Sequence, residues 1–123
     1  MLSFNGFAAV DGIPIYIQIV RFVKRNIVSG VTVNGDEAPS RRVLSALLGV
    51  NPNTVQKAYR ILEEEGLLSS HTGAKSYIEV KPESVARIRR ELLEDAAAAV
   101  VKDLKEMGLT KEDALALIET HWT

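Results

Sequence analysis

The chain contains no cysteine. That excludes a disulfide framework and any thiolate zinc site, and it accords with a reducing cytoplasm. Histidine is nearly as scarce. His71 and His121 fall in different predicted elements, with no carboxylate pattern beside either. The sequence also lacks a nucleophile–base pairing, a phosphate-cradling glycine loop and metal-ligand spacing, so no enzyme reading survives and no cofactor or metal is expected. Long apolar runs are missing too. No uncharged stretch approaches the roughly 20 residues of a membrane span. The opening Met1–Asp11 has no basic leader, and Asn5 and Gly6 break its short apolar run. Neither membrane nor signal peptide is therefore expected.

Charge of one sign is absent overall, with a net value of −1, but it is unevenly spread. Residues 1–62 hold seven bases (Arg21, Lys24, Arg25, Arg41, Arg42, Lys57, Arg60) and three acids, whereas the remainder holds eight bases and thirteen acids. A basic front and an acidic rear suit a protein that meets phosphates with one part only, although solvated faces can also be asymmetric by chance. The 123 residues fit one compact domain, or a small domain with an appendage. With 46% hydrophobic and 25% charged residues, the composition is that of an ordinary soluble protein.

Residues 1–12 mix small and apolar types and read as loosely ordered. A first helix should open at Pro14, with Ile15, Ile19, Phe22, Val23 and Ile27 as its apolar stripe and Arg21, Lys24 and Arg25 mostly opposite. Gly30 ends it, and residues 31–38 read as extended or turn around Asn34–Gly35. Ser40 then caps a second helix whose expected buried face is Val43, Leu44, Leu47 and Leu48. Gly49 closes that helix. A tight Val50-Asn51-Pro52 turn follows, with Asn51 as cap and Pro52 in the first position of a third helix. Val55, Ala58, Tyr59 and Leu62 should face inward there, and Glu63–Glu65 read as a solvated face.

Two short helices joined by a tight turn with glycine at its start are the layout of a DNA-reading helix-turn-helix. Leu67–Ser69 and Ser76–Val80 then read as two strands about a turn from His71 to Lys75, which makes a wing. The fold class is thus mainly α with a small β-hairpin: a winged helix-turn-helix over residues 13–81, after an N-terminal extension (1–12) and before a helical region (82–123). Asn53, Thr54 and Gln56 occupy the first turn and a half of the third helix. Asn and Gln can bond an adenine edge in two places, and a Thr methyl can pack on a thymine methyl. Arg41, Arg42, Lys57, Arg60, Lys75 and His71 supply positive or neutral-basic groups around that point. Plainer readings stand beside these. Thr54 also fits an alternative cap and Arg41 and Arg42 a solvated pair, both weaker readings, while for His71 an exposed turn residue is the better one.

From Ser84 to Met107 the stripe Val85, Ile88, Leu92, Ala96, Ala99, Val100, Leu104 and Met107 keeps a helical period. Gly108 stops it. Thr110 and Asp113 open a last helix with Leu115, Ile118 and Trp122 on one face. So long an apolar stripe on a small domain wants a partner, and a second copy is the expected one. The alternative is that the helix folds back on its own winged domain. A twofold dimer would present two recognition helices about 34 Å apart and read a palindrome in duplex DNA. Two helices are too few to enclose a metabolite pocket of about a few hundred Å³. A small-molecule effector would then act at the dimer seam or on the winged domain.

The ordered set Pro14-Ile15-Tyr16, Ser29-Gly30, Pro39-Ser40, Leu48-Gly49-Val50, Thr54-Val55, Ala58-Tyr59, Leu62, Glu65-Gly66-Leu67 and Gly73 resembles the DNA-binding domain of GntR-family bacterial transcription factors. The Asn51-Pro52-Asn53-Thr54-Val55 turn, Tyr59 and the short two-helix tail resemble the YtrA subfamily. The resemblance spans roughly residues 13–121 and is carried by a long ordered motif set. It implies DNA contacts at Arg42, Pro52, Asn53, Thr54 and Gln56, with a wing contact near Gly73. Arg41 stands where the family is commonly acidic or apolar, and Lys75 replaces a second wing glycine. The resemblance further implies a repressor-type regulator of ABC-transporter genes. The competing class is a winged helix used purely for protein interaction. The polar, capped first turn of the third helix disfavours it.

Overall fold

The computed structural model describes residues 1–71 and 75–123. Its elements run α1 (Ile15–Ser29), β1 (Glu37–Ala38), α2 (Arg41–Leu48), α3 (Pro52–Glu64), β2 (Leu68–His71), β3 (Lys75–Ile78), α4 (Pro82–Glu106) and α5 (Lys111–His121). They fall into two compact units, Met1–Arg89 and Arg90–Thr123. Of the turn expected from His71 to Lys75, those two end residues belong to the strands, and 72–74 lie outside the described residues.

The first unit packs α1 and α2 against α3, with a small sheet alongside. α3 is central because its period brings Val55, Ala58, Tyr59 and Leu62 to one side, all buried. From α1 come Ile19, Val23 and Ile27, and from α2 Leu44. The sheet has three antiparallel strands rather than two, in the order β1-β3-β2, with Glu37 opposite Tyr77 and Leu68 opposite Ile78. A two-residue strand such as β1 carries no alternation to read, which is why residues 31–38 read as extended or turn without a defined strand.

Several side chains depart from the expected faces. The buried edge of α2 is Leu44, Ser45 and half-buried Leu48, while Val43 and Leu47 are exposed. α2 meets its neighbours along one narrow edge, and Ser45 belongs to it because its hydroxyl donates to the Val50 carbonyl at 2.6 Å, closing the turn. Gly49, at φ 66°, takes the left-handed conformation that lets its N–H reach the Ser45 carbonyl. Lys24 does not point outward. It is buried, with its ammonium 2.8 Å from Glu65, and burying the stem leaves the charge a defined partner. Pro14 sits at the cap of α1 rather than in its first turn.

Residues 1–12 are packed, not loose. Leu2 and Phe4 are buried, and the Leu2 N–H donates to the Glu37 carbonyl at 2.9 Å, at the sheet. Phe4 stacks on Phe22 at 5.2 Å, and Phe7 meets Phe22 edge-on at 5.4 Å. The Gln18 amide fastens the rest. It accepts from the Val10 N–H at 2.9 Å and donates to the Ile13 carbonyl at 2.7 Å.

The first two turns of α4 also belong to this unit. Ile88 is fully buried in its core, Val85 packs against that core, and the Arg87 guanidinium donates to the Glu65 carbonyl at 3.0 Å. In the second unit Thr110 caps α5, accepting from the Asp113 N–H at 3.2 Å. No helix among the described residues is long and apolar enough to cross a membrane.

Candidate nucleic-acid interface

The start of α3 is built by its own turn. Asn51 holds an extended conformation, and its side-chain oxygen accepts from the Asn53 N–H at 2.8 Å. Pro52 fills the first helical position, where no N–H is needed. With Val55, Ala58 and Tyr59 turned inward, the same period leaves Pro52, Asn53, Lys57 and Arg60 exposed and Thr54 and Gln56 half-buried. Pro52, Asn53 and Gln56 line one wall of a shallow open groove. Arg41, Arg42, Ser45 and Ala46 of α2 line the other. This surface presents neutral amides beside guanidinium, next to the positive end of a capped helix, and so suits base edges flanked by phosphate.

The cations are not equivalent. Among the described residues no carboxylate comes within ion-pair distance of Arg42 or Arg60, and both are exposed. Arg41 is instead held inside the protein surface. Its guanidinium lies 2.6 Å from Glu63 and 5.1 Å from the Tyr59 ring centre. Glu63 also accepts from the Ser70 hydroxyl at 2.9 Å, and Ser70 lies 3.1 Å from Ser76 on the neighbouring strand. Glu63 thus ties the opening of α2 and both wing strands to the end of α3. It is not a solvated acid. Nothing in residue spacing pairs positions 41, 63 and 70, so this cluster was not legible in advance. The Tyr59 hydroxyl donates to the Pro39 carbonyl at 2.6 Å. Burial pushes its phenol well above the ordinary value, and the neighbouring Arg41 charge works in the opposite direction.

The remaining basic candidates are partly engaged. The Lys57 ammonium lies 4.0 Å from the Tyr16 ring centre. His71 meets Tyr77 edge-on at 5.3 Å and lies 3.2 Å from the Ser69 hydroxyl, and Lys75 is 3.6 Å from Glu37. Gly73 lies outside the described residues.

The model of the bacterial regulatory proteins, gntR family, matches residues 15–78, which runs from the start of α1 to the end of β3. The chain belongs to the GntR family. An uncharacterised HTH-type transcriptional regulator YhcF of Bacillus subtilis (strain 168) is 36% identical over 107 residues, covering 87% of this chain and 88% of that protein. The HTH-type transcriptional repressor YtrA of the same organism is 43% identical over 65 residues, 53% of this chain and 50% of that one. A GntR family transcriptional regulator from Listeria monocytogenes has the same fold, with a TM-score of 0.78 and 28% identity over 91% of this chain and 98% of that one. Like these relatives the chain is a DNA-binding transcriptional regulator of helix-turn-helix type, not an enzyme.

The residues expected at a dimer seam divide between the two units. Ile88, and Val85 beside it, are used up in the winged core, so this part of α4 does fold back on its own domain. Leu92 is half-buried, and Ala96 and Ala99 are exposed. Val100, Leu104, Leu115 and Ile118 line an apolar hollow of about 430 Å³ between α4 and α5, and Trp122 is 83% exposed. The hollow's lining side chains Val100, Leu115 and Ile118 are themselves exposed, so the two helices shape an open depression and do not enclose a pocket.

Proposed function

We propose that this GntR regulator binds a palindromic operator as a homodimer and acts as a repressor, with an ABC-transporter operon among its targets. The observation that carries the reading is the outward, capped start of α3. Pro52, Asn53, Thr54 and Gln56 stand there beside Arg42, which has no carboxylate within ion-pair distance among the described residues. Base edges are read by Asn53, Thr54 and Gln56. Phosphates are met by Arg42, Lys57, Arg60 and the wing residues His71 and Lys75, while Arg41 shapes the groove wall through Glu63. Pairing of two chains uses the apolar residues of the second unit, from Leu92 to Trp122. The repressor role rests on likeness to the transcriptional repressor YtrA, and the transporter target on the subfamily resemblance of the motif set.

Selection of bound duplexes from a random pool tests this, followed by titration of the recovered site at several salt concentrations. The expected outcome is an inverted repeat with half-sites about one helical turn apart. If about five phosphates are neutralised per chain, affinity falls with a log–log salt slope of about −0.9 per contact. Thr54→Ala and Gln56→Ala should each weaken the site by about 1–3 kcal/mol and leave folding intact. Failure to enrich any sequence, with salt-indifferent binding, would point to a protein-interaction module instead.

A further inference from the structure

Between the N-terminal segment and α1 lies a hollow of about 280 Å³ that the operator reading does not use. Its walls are of two kinds. Phe7 and Phe22 meet edge-on at 5.4 Å, with Val10 and Ile13 nearby, and form an apolar side. Arg21 and Arg25 line it as well. They stand four residues apart on α1, which places two like charges on one helix face and disfavours the arrangement unless an anion answers it. Among the described residues no carboxylate, Asp11 included, comes within ion-pair distance of either. The wall is also fixed. Gln18 is buried and fully engaged, bonded to Val10 through both ends of its amide and to the Ile13 carbonyl. The segment that forms one side of the hollow is thereby held to the helix that carries the arginines.

We propose that this hollow binds a small organic anion. Arg21 and Arg25 take its carboxylate or phosphate head, for which the guanidinium fork is suited. Phe7 and Phe22 take its apolar body. The site is separate from the α3 surface, so it stands or falls independently of operator binding. A ligand here would clasp residues 6–13 to α1, and Leu2 in the same segment already bonds to β1 of the wing sheet through Glu37.

Isothermal titration of the full chain with phenyl phosphate, phenylacetate and inorganic phosphate tests the assignment. One saturable site per chain is expected for at least one aryl anion, about tenfold tighter than for inorganic phosphate. The relative strength of the two aryl anions tells whether phosphate or carboxylate is preferred. In the double variant R21Q/R25Q, both positions exposed, that binding should fall at least about tenfold with the circular dichroism unchanged. F7A should weaken the aryl anions and leave inorganic phosphate as it was. Three outcomes overturn the proposal: no saturable binding of either aryl anion, equal binding of inorganic phosphate, or binding undiminished in R21Q/R25Q. If aryl anions fail while R21Q/R25Q loses affinity for duplex DNA, the two arginines belong to the DNA backbone and the pocket is dismissed.

Discussion

Up to Ile88 the chain hides most of its large apolar side chains, Val43 and Leu47 being among the exceptions, and from Arg90 onward it hides none fully. Sixteen apolar residues from Leu2 to Ile88 are buried, and none beyond Ile88 is, among the described residues. Leu93, Val100, Val101, Met107, Leu115, Leu117, Ile118 and Trp122 are all markedly exposed in the second unit. The first unit closes its core with three helices and a sheet that meet from several sides. The second has only a helical hairpin, whose two members can cover one face of each other. The lesson concerns which periodic stripes a fold consumes. Along α4 one continuous stripe changes use part-way, since Val85 and Ile88 complete a core and Val100 and Leu104 do not. Exposed apolar surface of this kind marks an interaction face.

The strongest way to break that comparison is to charge the displayed face. Val101→Glu with Leu115→Glu should leave the winged unit folded and yield monomers by light scattering. On the proposed homodimer, operator affinity should drop about 10²–10⁴-fold, because two linked reading heads would become one. A variant that stays dimeric would show that the second unit does not join the chains. Next comes the core itself. Leu62→Ala should cost about 2–5 kcal/mol in denaturant unfolding, whereas Leu117→Ala, made in the monomeric Val101→Glu/Leu115→Glu background, should cost under about 0.5 kcal/mol. Equal costs would mean that the displayed face is covered in solution.

Much of this division was legible in the sequence. The recognition helix announced itself through Asn51 and Pro52, because capping is local chemistry and needs no knowledge of the rest of the fold. The inward set Val55, Ala58, Tyr59 and Leu62 followed from periodicity alone. What escaped depends on distant partners. Lys24 reads as a surface cation until Glu65 is placed beside it, and the pairing of Arg41 with Glu63 appears only once α2 and α3 are packed together. Phe4 and Phe7 lie in a stretch without periodicity, so only Phe22 reveals their role. α2 is eight residues long, too short for a stripe to fix its register. The choice between Val43 and Ser45 as inward residue turned on a hydroxyl bond to Val50.

A smaller effect sharpens the picture of the first unit. The Tyr59 phenol is raised by burial, so the folded state keeps its proton where the unfolded chain, with an ordinary value of about 10, gives it up. Stability from this group is complete below about pH 10 and declines as pH climbs past it, by up to about 1.4 kcal/mol per pH unit. Tyr59→Phe should remove that decline, at a neutral-pH cost of about 1 kcal/mol for the lost bond to Pro39. Denaturant unfolding of both proteins at pH 8 and pH 10.5 checks it. An unchanged alkaline slope in the variant would assign the decline to other groups.

The smallest test applies one chemical edit to both units. Asn51 caps α3 and Thr110 caps α5, each accepting a backbone N–H within the first turn. Replacing either by alanine should cost about 1 kcal/mol. The two losses should register differently. α3 is clasped on its inner side by the whole winged core, so Asn51→Ala should lower the unfolding midpoint of that unit. α5 belongs to a unit with its own boundary, so Thr110→Ala should speed hydrogen exchange at Asp113 by about fivefold and leave the winged unit's midpoint in place. If Thr110→Ala lowers that midpoint as much as Asn51→Ala does, the two units unfold as one. The contrast between a closed core and a displayed face would then describe geometry without describing cooperativity.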